Sequence, residues 1–136
     1  DVAHDLQKGR CYIPELMLAE AGLTPRDLLD QQNLTKFRPV LSKLVRMATE
    51  HLDQGWLYTM AIPRYETRLR LSCMWPILSG GESLKLVMNS PDLLNPAVKV
   101  KIPRSTVYRI MAMTTGTAAC GYSGTAYWGH LRKQIA

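Results

Sequence analysis

After Asp92 the chain contains no acidic residue. Residues 1–92 hold 11 Lys and Arg against 11 Asp and Glu, and residues 93–136 hold 6 against none, so the whole net charge of +6 belongs to the last third. A basic tail suits an anionic membrane, a diphosphate or a nucleic acid. Lys99, Lys101, Arg104, Arg109, Arg132 and Lys133 are dispersed, with no nucleic-acid-binding motif around them, and no nucleic acid is expected as a partner. Cysteine is scarce as well: Cys11, Cys73 and Cys120 are far apart and form no metal-ligand pattern, which points to a reduced, cytoplasmic setting. His4, His51 and His130 have no Cys or His at zinc spacing. Long apolar runs are missing. The 20 residues from Ile110 to Gly129 lack any Lys, Arg, Asp or Glu, yet Gly116, Gly121, Gly124 and Gly129 with many Thr and Ala make the stretch too small and polar for a bilayer span. No signal peptide is recognisable. Strand signals are nearly absent: Val98-Lys99-Val100-Lys101-Ile102 alternates, but nothing else is there to pair with it, so a loop is expected and the class is all-α.

What is present is helical periodicity cut by proline and glycine. Pro14 to Ala21 predicts a short helix stopped by Gly22, and Thr24-Pro25-Arg26-Asp27 opens another near 25–30, with Thr24 as cap and Asp27 in the capping-box position. A turn is expected at 31–35. Phe37, Leu41, Leu44, Ala48, Leu52 and Gly55 recur at threes and fours from Lys36 to about Ile62, opposite Lys43, Arg46, Glu50 and Asp53, which predicts a long amphipathic helix ended by Pro63. A second long helix is expected from near Tyr65 to about Asn89. Pro76 and Gly80-Gly81 interrupt it and predict a kink or a break, beside which another helix or a ligand can come close. A proline-rich loop over 90–103, a helix from Arg104 or Ser105, and further helix within 117–136 complete the chain.

The densest chemistry lies in residues 1–14. Asp1 and Asp5 are four apart, so on a helix their carboxylates share a face, about 5–6 Å apart at Cβ. Gly9 should stop that helix, and Pro14 should open the next one. Both acids then stand in the last turns, where mutual repulsion and the helix dipole disfavour them by a few tenths to about 1 kcal/mol each. Both effects reverse if a hard divalent cation binds between them, and magnesium binds through one or two carboxylates plus substrate phosphates. Lys8 and Arg10 are at hand for phosphate oxygens, Arg10 in bidentate fashion.

The string Asp-Val-x-x-Asp-x-x-x-x-Arg-x-Tyr-x-Pro, filled by Asp1, Val2, Asp5, Arg10, Tyr12 and Pro14 with the four-residue spacer kept, resembles the second aspartate-rich motif of the squalene and phytoene synthase family. The resemblance implies an all-helical bundle of the isoprenoid synthase type, with residues 1–136 forming the C-terminal part of one prenyl synthase domain whose first aspartate-rich motif is absent. No initiator methionine is present, and a longer parent chain is expected, with these residues alone inactive. Asp1 and Asp5 are implied to hold magnesium against the diphosphate of an allylic substrate, and Arg10 to bind that diphosphate. Tyr12 and Pro14 are expected to fix the turn, with Tyr12 also able to offer its hydroxyl or ring to the site. Lys99 and Lys101 resemble a basic segment of squalene synthases that serves the diphosphate or the phosphates of NADPH, although Lys101 stands where an arginine is also found. The implied reaction is head-to-head condensation of two farnesyl diphosphates and NADPH-dependent reduction to squalene. Phytoene or dehydrosqualene synthesis without a reductant is the alternative within the family, and a non-catalytic helical module on a membrane surface is the alternative outside it. The expected location is cytoplasmic, with peripheral association at the inner face of the cell membrane for an apolar product. Trp56, Tyr58, Trp75 and the seven methionines are read as core before cavity lining.

Overall fold

Gly9 and Gly22 set the first two helices. Helix α1 (Val2–Gln7) stops where Gly9 takes φ +70, with the amides of Gly9 and Arg10 returning to the carbonyls of Leu6 (2.9 Å) and Asp5 (2.9 Å). Helix α2 (Glu15–Glu20) stops in the same way at Gly22, φ +66, with the amides of Gly22 and Leu23 on the carbonyls of Ala19 and Leu18, both 2.9 Å. Both endings are Schellman caps, which need a left-handed residue and so favour glycine. Pro14 is the residue before α2, not its first residue. The computed structural model describes residues 2–116 and 122–135.

The expected short helix after Gly22 is a 3₁₀ turn, Pro25–Leu29, whose Asp27 carboxylate accepts from the Thr24 amide and hydroxyl, both at 2.7 Å. A second 3₁₀ turn, Gln31–Asn33, leads into α3 (Leu34–Ala61), then come α4 (Thr67–Asn89), α5 (Arg104–Thr115) and α6 (Tyr122–Ile135). No strand occurs among the described residues, and 98–102 is loop, as the isolated alternation predicts. No helix is long and apolar enough to cross a membrane.

Two prolines lie inside helices, and one of them corrects an expectation. Pro39 lies inside α3, where each interior proline removes one ladder hydrogen bond, and the helix nonetheless runs unbroken through buried Leu34, Phe37, Val40 and Leu41. Pro76 and Gly80-Gly81 do not break α4, which continues from Thr67 to Asn89. The glycine pair has the other predicted use. A Cβ on Gly81 would stand 2.8 Å from Trp128 Cζ3 and 3.1 Å from Leu131 Cδ1, so the glycine is what lets α6 approach.

The chain divides into two compact units, Asp1–Leu44 with Val87–Val100, and Val45–Leu86 with Lys101–Ala136. In the first, Ala3, Leu18, Leu28, Phe37 and Leu94 are buried, and side chains tie the segments together: Arg38 donates to the carbonyls of Met88 and Ser90, while Gln31 donates to Pro91 O and accepts from the Leu94 amide at 3.0 Å. In the second, Trp56 and Trp128 stack with centroids 6.2 Å apart, and α6 is clamped twice. Asp53 accepts from Trp128 Nε1 and Arg132, each at 2.9 Å, and Glu82 accepts from Tyr127 and faces Arg109 at 3.5 Å and Lys85 at 3.8 Å.

Candidate diphosphate and metal site

The cap at Gly9 does more than end α1. By returning the Arg10 amide to the Asp5 carbonyl, it folds the residues after the helix back along the last turn. Asp5, Arg10 and Tyr12 therefore line one hollow of about 160 Å3, with Val2, Leu6, Cys11 and Ile13 as the remaining wall. Asp5 is half-buried, Arg10 is exposed, and Tyr12 is 76% exposed. The Cys11 thiol donates to the Ile13 carbonyl at 3.6 Å, which helps to hold this loop. Leu6 and Cys11 also line a second hollow, of about 290 Å3, with Gly9, Pro25, Arg26 and Leu29.

Three of the residues singled out in the sequence thus meet. Asp1 lies outside the described residues. Lys99 belongs to the first unit and Lys101 to the second, both are exposed, and neither lines the Asp5 hollow. The described residues contain no group of three or more His, Cys, Asp or Glu able to hold a metal by themselves. One carboxylate beside an arginine still fits magnesium, because that ion keeps water and substrate phosphate in its shell and needs few protein ligands. Lys99 and Lys101 offer charge to a phosphate without the bidentate fork of arginine, a fit that carries no selectivity for a nicotinamide nucleotide.

Neither Cys11 nor Leu6 was singled out, although both follow from the motif's spacing once Gly9 turns the chain. The polar groups of the second unit were missed for a different reason. Glu82 lies four residues after buried Leu78 and is itself 9% exposed; an acid in register with a buried face was its one local signal. Its neighbour Tyr127 is pushed above the ordinary phenol range, by burial first and by the hydrogen bond to Glu82 second. Asp27, on the first unit, is held below the usual carboxylate range by the Thr24 hydroxyl, then the Thr24 amide, with Lys36 adding a smaller pull.

The sequence model of the squalene/phytoene synthase family matches residues 1–106. The chain belongs to that family. A squalene/phytoene synthase family chain of this kind is similar to a 15-cis-phytoene synthase of Enterobacter agglomerans, 44% identical over 50 residues, 37% of this chain and 16% of the relative. It is also similar to phytoene synthase 2, chloroplastic, of Solanum lycopersicum, 29% identical over 79 residues (58% of this chain, 23% of the relative). A third relative is the chloroplastic phytoene synthase of Narcissus pseudonarcissus, 29% identical over 77 residues, 57% of this chain and 16% of the relative. The chain spans less than a quarter of the length of each of these relatives. No solved structure gives a significant match. The all-α fold and the family agree, and the family's isoprenoid synthase architecture is the one the opening motif implied.

Proposed function

We propose that this chain is the C-terminal part of a magnesium-dependent prenyl synthase that joins two prenyl diphosphates head to head. The observation that carries the reading is the meeting of Asp5 and Arg10 at one hollow, within a stretch that matches the family. Magnesium bound there would supply charge stabilisation for the departing diphosphate. Asp5 holds a negative oxygen at the hollow, with Asp1 of the same motif as its partner in the role the resemblance implies. Arg10 neutralises and orients phosphate oxygens, which matters most as charge builds on the leaving oxygen. Tyr12 presents a phenol at the rim.

The relatives named phytoene synthase support a product made without reductant. Squalene formation with NADPH is the second reading, and it rests on the resemblance of the Lys99 and Lys101 segment to squalene synthases alone. On either reading the protein is a transferase whose product is apolar. The test uses the intact parent protein with magnesium and either farnesyl or geranylgeranyl diphosphate, with and without NADPH, and identifies products by mass spectrometry. A hydrocarbon made equally without NADPH gives the phytoene-type reaction, one made only with NADPH gives the squalene type, and no product from either substrate overturns the proposal.

A further inference from the structure

Met60, in the last turn of α3, holds a sulfur that three helices share. Arg70 Nη2 of α4 donates to Met60 Sδ at 3.3 Å, and the Thr125 hydroxyl of α6 donates to the same sulfur at 3.7 Å. All three residues belong to the second unit. Arg70 is 3% exposed, a cation taken out of water, and a thioether is a weak acceptor for it. Met60 is half-buried and Thr125 is exposed, so the sulfur lies close enough to the surface for a small solute to reach it. Met74, whose sulfur packs against the neighbouring Gly124 of α6, is 1% exposed and closed to such a solute.

We propose that Met60 is a reversible oxidation site, and that its sulfoxide fastens α6 to α3 and α4. Hydrogen peroxide is the oxidant. A sulfur lone pair attacks one peroxide oxygen, and the S–O bond forms as the O–O bond breaks. The departing hydroxide takes, through solvent, the proton of the transferred oxygen and leaves as water. Sulfur loses two electrons and peroxide gains them. Methionine oxidation usually loosens a protein, because a polar group replaces an apolar one in packed surroundings. Here the surroundings are two donors, and the new oxygen is a stronger acceptor than the sulfur. The 3.7 Å to the Thr125 hydroxyl has room for an oxygen bent off the line, since O–H···O bonds close to about 2.7 Å. On the other side the Arg70 guanidinium gains a charge-assisted bond. Methionine sulfoxide reductases reverse the change. The inference goes beyond the proposed reaction and does not depend on it.

The experiment treats the intact parent protein with dilute hydrogen peroxide and locates added oxygen by peptide mass spectrometry. Met47→Leu and Met113→Leu form the background, since both methionines are exposed and oxidise as well. Met60 is expected to gain one oxygen while Met74 stays reduced. Amide hydrogen exchange over α6, residues 122–135, should then slow about fivefold, the factor that one additional net hydrogen bond supplies. Methionine sulfoxide reductase should restore the original rate, where dithiothreitol by itself, which acts on oxidised cysteines, should not. Met60→Leu should abolish the response to peroxide and Thr125→Ala should reduce it. Met60→Gln, with a carbonyl oxygen in place of the sulfoxide, should slow exchange before any peroxide is added. Faster or unchanged exchange in the protein oxidised at Met60 overturns the proposal, and so does a Met60 that stays reduced in the folded protein. A slowing that persists in Met60→Leu overturns it too, because it then comes from another residue.

Discussion

The two units of the chain use charge in opposite ways. Around Gly9, Asp5 and Arg10 face a hollow, brought together by backbone hydrogen bonds. In the second unit, Asp53 and Glu82 are enclosed by Trp128, Arg132, Tyr127 and Arg109, so that each acid is answered by side chains from another helix. The first arrangement leaves charge available to a ligand, and the second consumes it in holding α6. An acid's function is thus told by whether its neighbours leave room beside it, more than by the acid itself.

The largest expected effect falls on the first region. In the intact parent, Asp5→Ala should lower kcat for prenyl transfer by roughly a hundredfold to a thousandfold, about 3–4 kcal/mol of transition-state stabilisation, with little change in Tm. If Asp53→Ala, in the other region, lowers kcat as much without lowering Tm, the contrast between the two regions fails. Next comes the close approach of α6. Gly81→Ala places a methyl group within 2.8 Å of Trp128 and should cost about 1–3 kcal/mol in denaturant unfolding while leaving the affinity for prenyl diphosphate intact.

Gly9→Ala has the reverse pattern. A Cβ there meets nothing within 4 Å, so packing is unaffected, and the cost of about 1–2 kcal/mol comes from the left-handed backbone alone. Because the cap positions Arg10, KM should rise along with the fall in Tm, which the Gly81 variant should not show.

The smallest effects depend on pH. Tyr127 has its phenol raised, so its contribution is complete below the ordinary phenol value, about 10, and is lost as pH climbs through the raised folded value. Asp27, held low, contributes above the ordinary carboxylate value, about 4, and loses that contribution as pH falls through its lowered folded value. Melting of Tyr127→Phe and Asp27→Ala against the parent should therefore converge with it at opposite ends of the pH range, the first in strong base and the second in acid.

Local signals served the first region well. Gly9, Gly22 and the Thr24-Pro25-Arg26-Asp27 run acted through their own backbone, and such effects are visible without knowing what packs against them. Asp5 and Arg10 were legible because their meeting needs one turn of chain. Pro76 misled to the extent that a break was expected there: a single lost hydrogen bond is outweighed by buried neighbours such as Met74, Ile77 and Leu78, which propensity does not count. Glu82 and Asp53 were illegible for the same reason: their partners lie 45 and 75 residues away, and only the fold brings them within reach.

The stacked pair Trp56 and Trp128 makes α6 optically visible. Two indoles 6.2 Å apart and inclined by 22° couple electronically, and the same Trp128 donates its N–H to Asp53. Release of α6 would uncouple the rings and wet the indole in one event, while Trp75, hydrogen-bonded to Thr114 of α5 at 3.0 Å, would keep its surroundings. The chain therefore carries its own reporter of whether α6 is docked, readable in near-ultraviolet circular dichroism and tryptophan emission with no label attached.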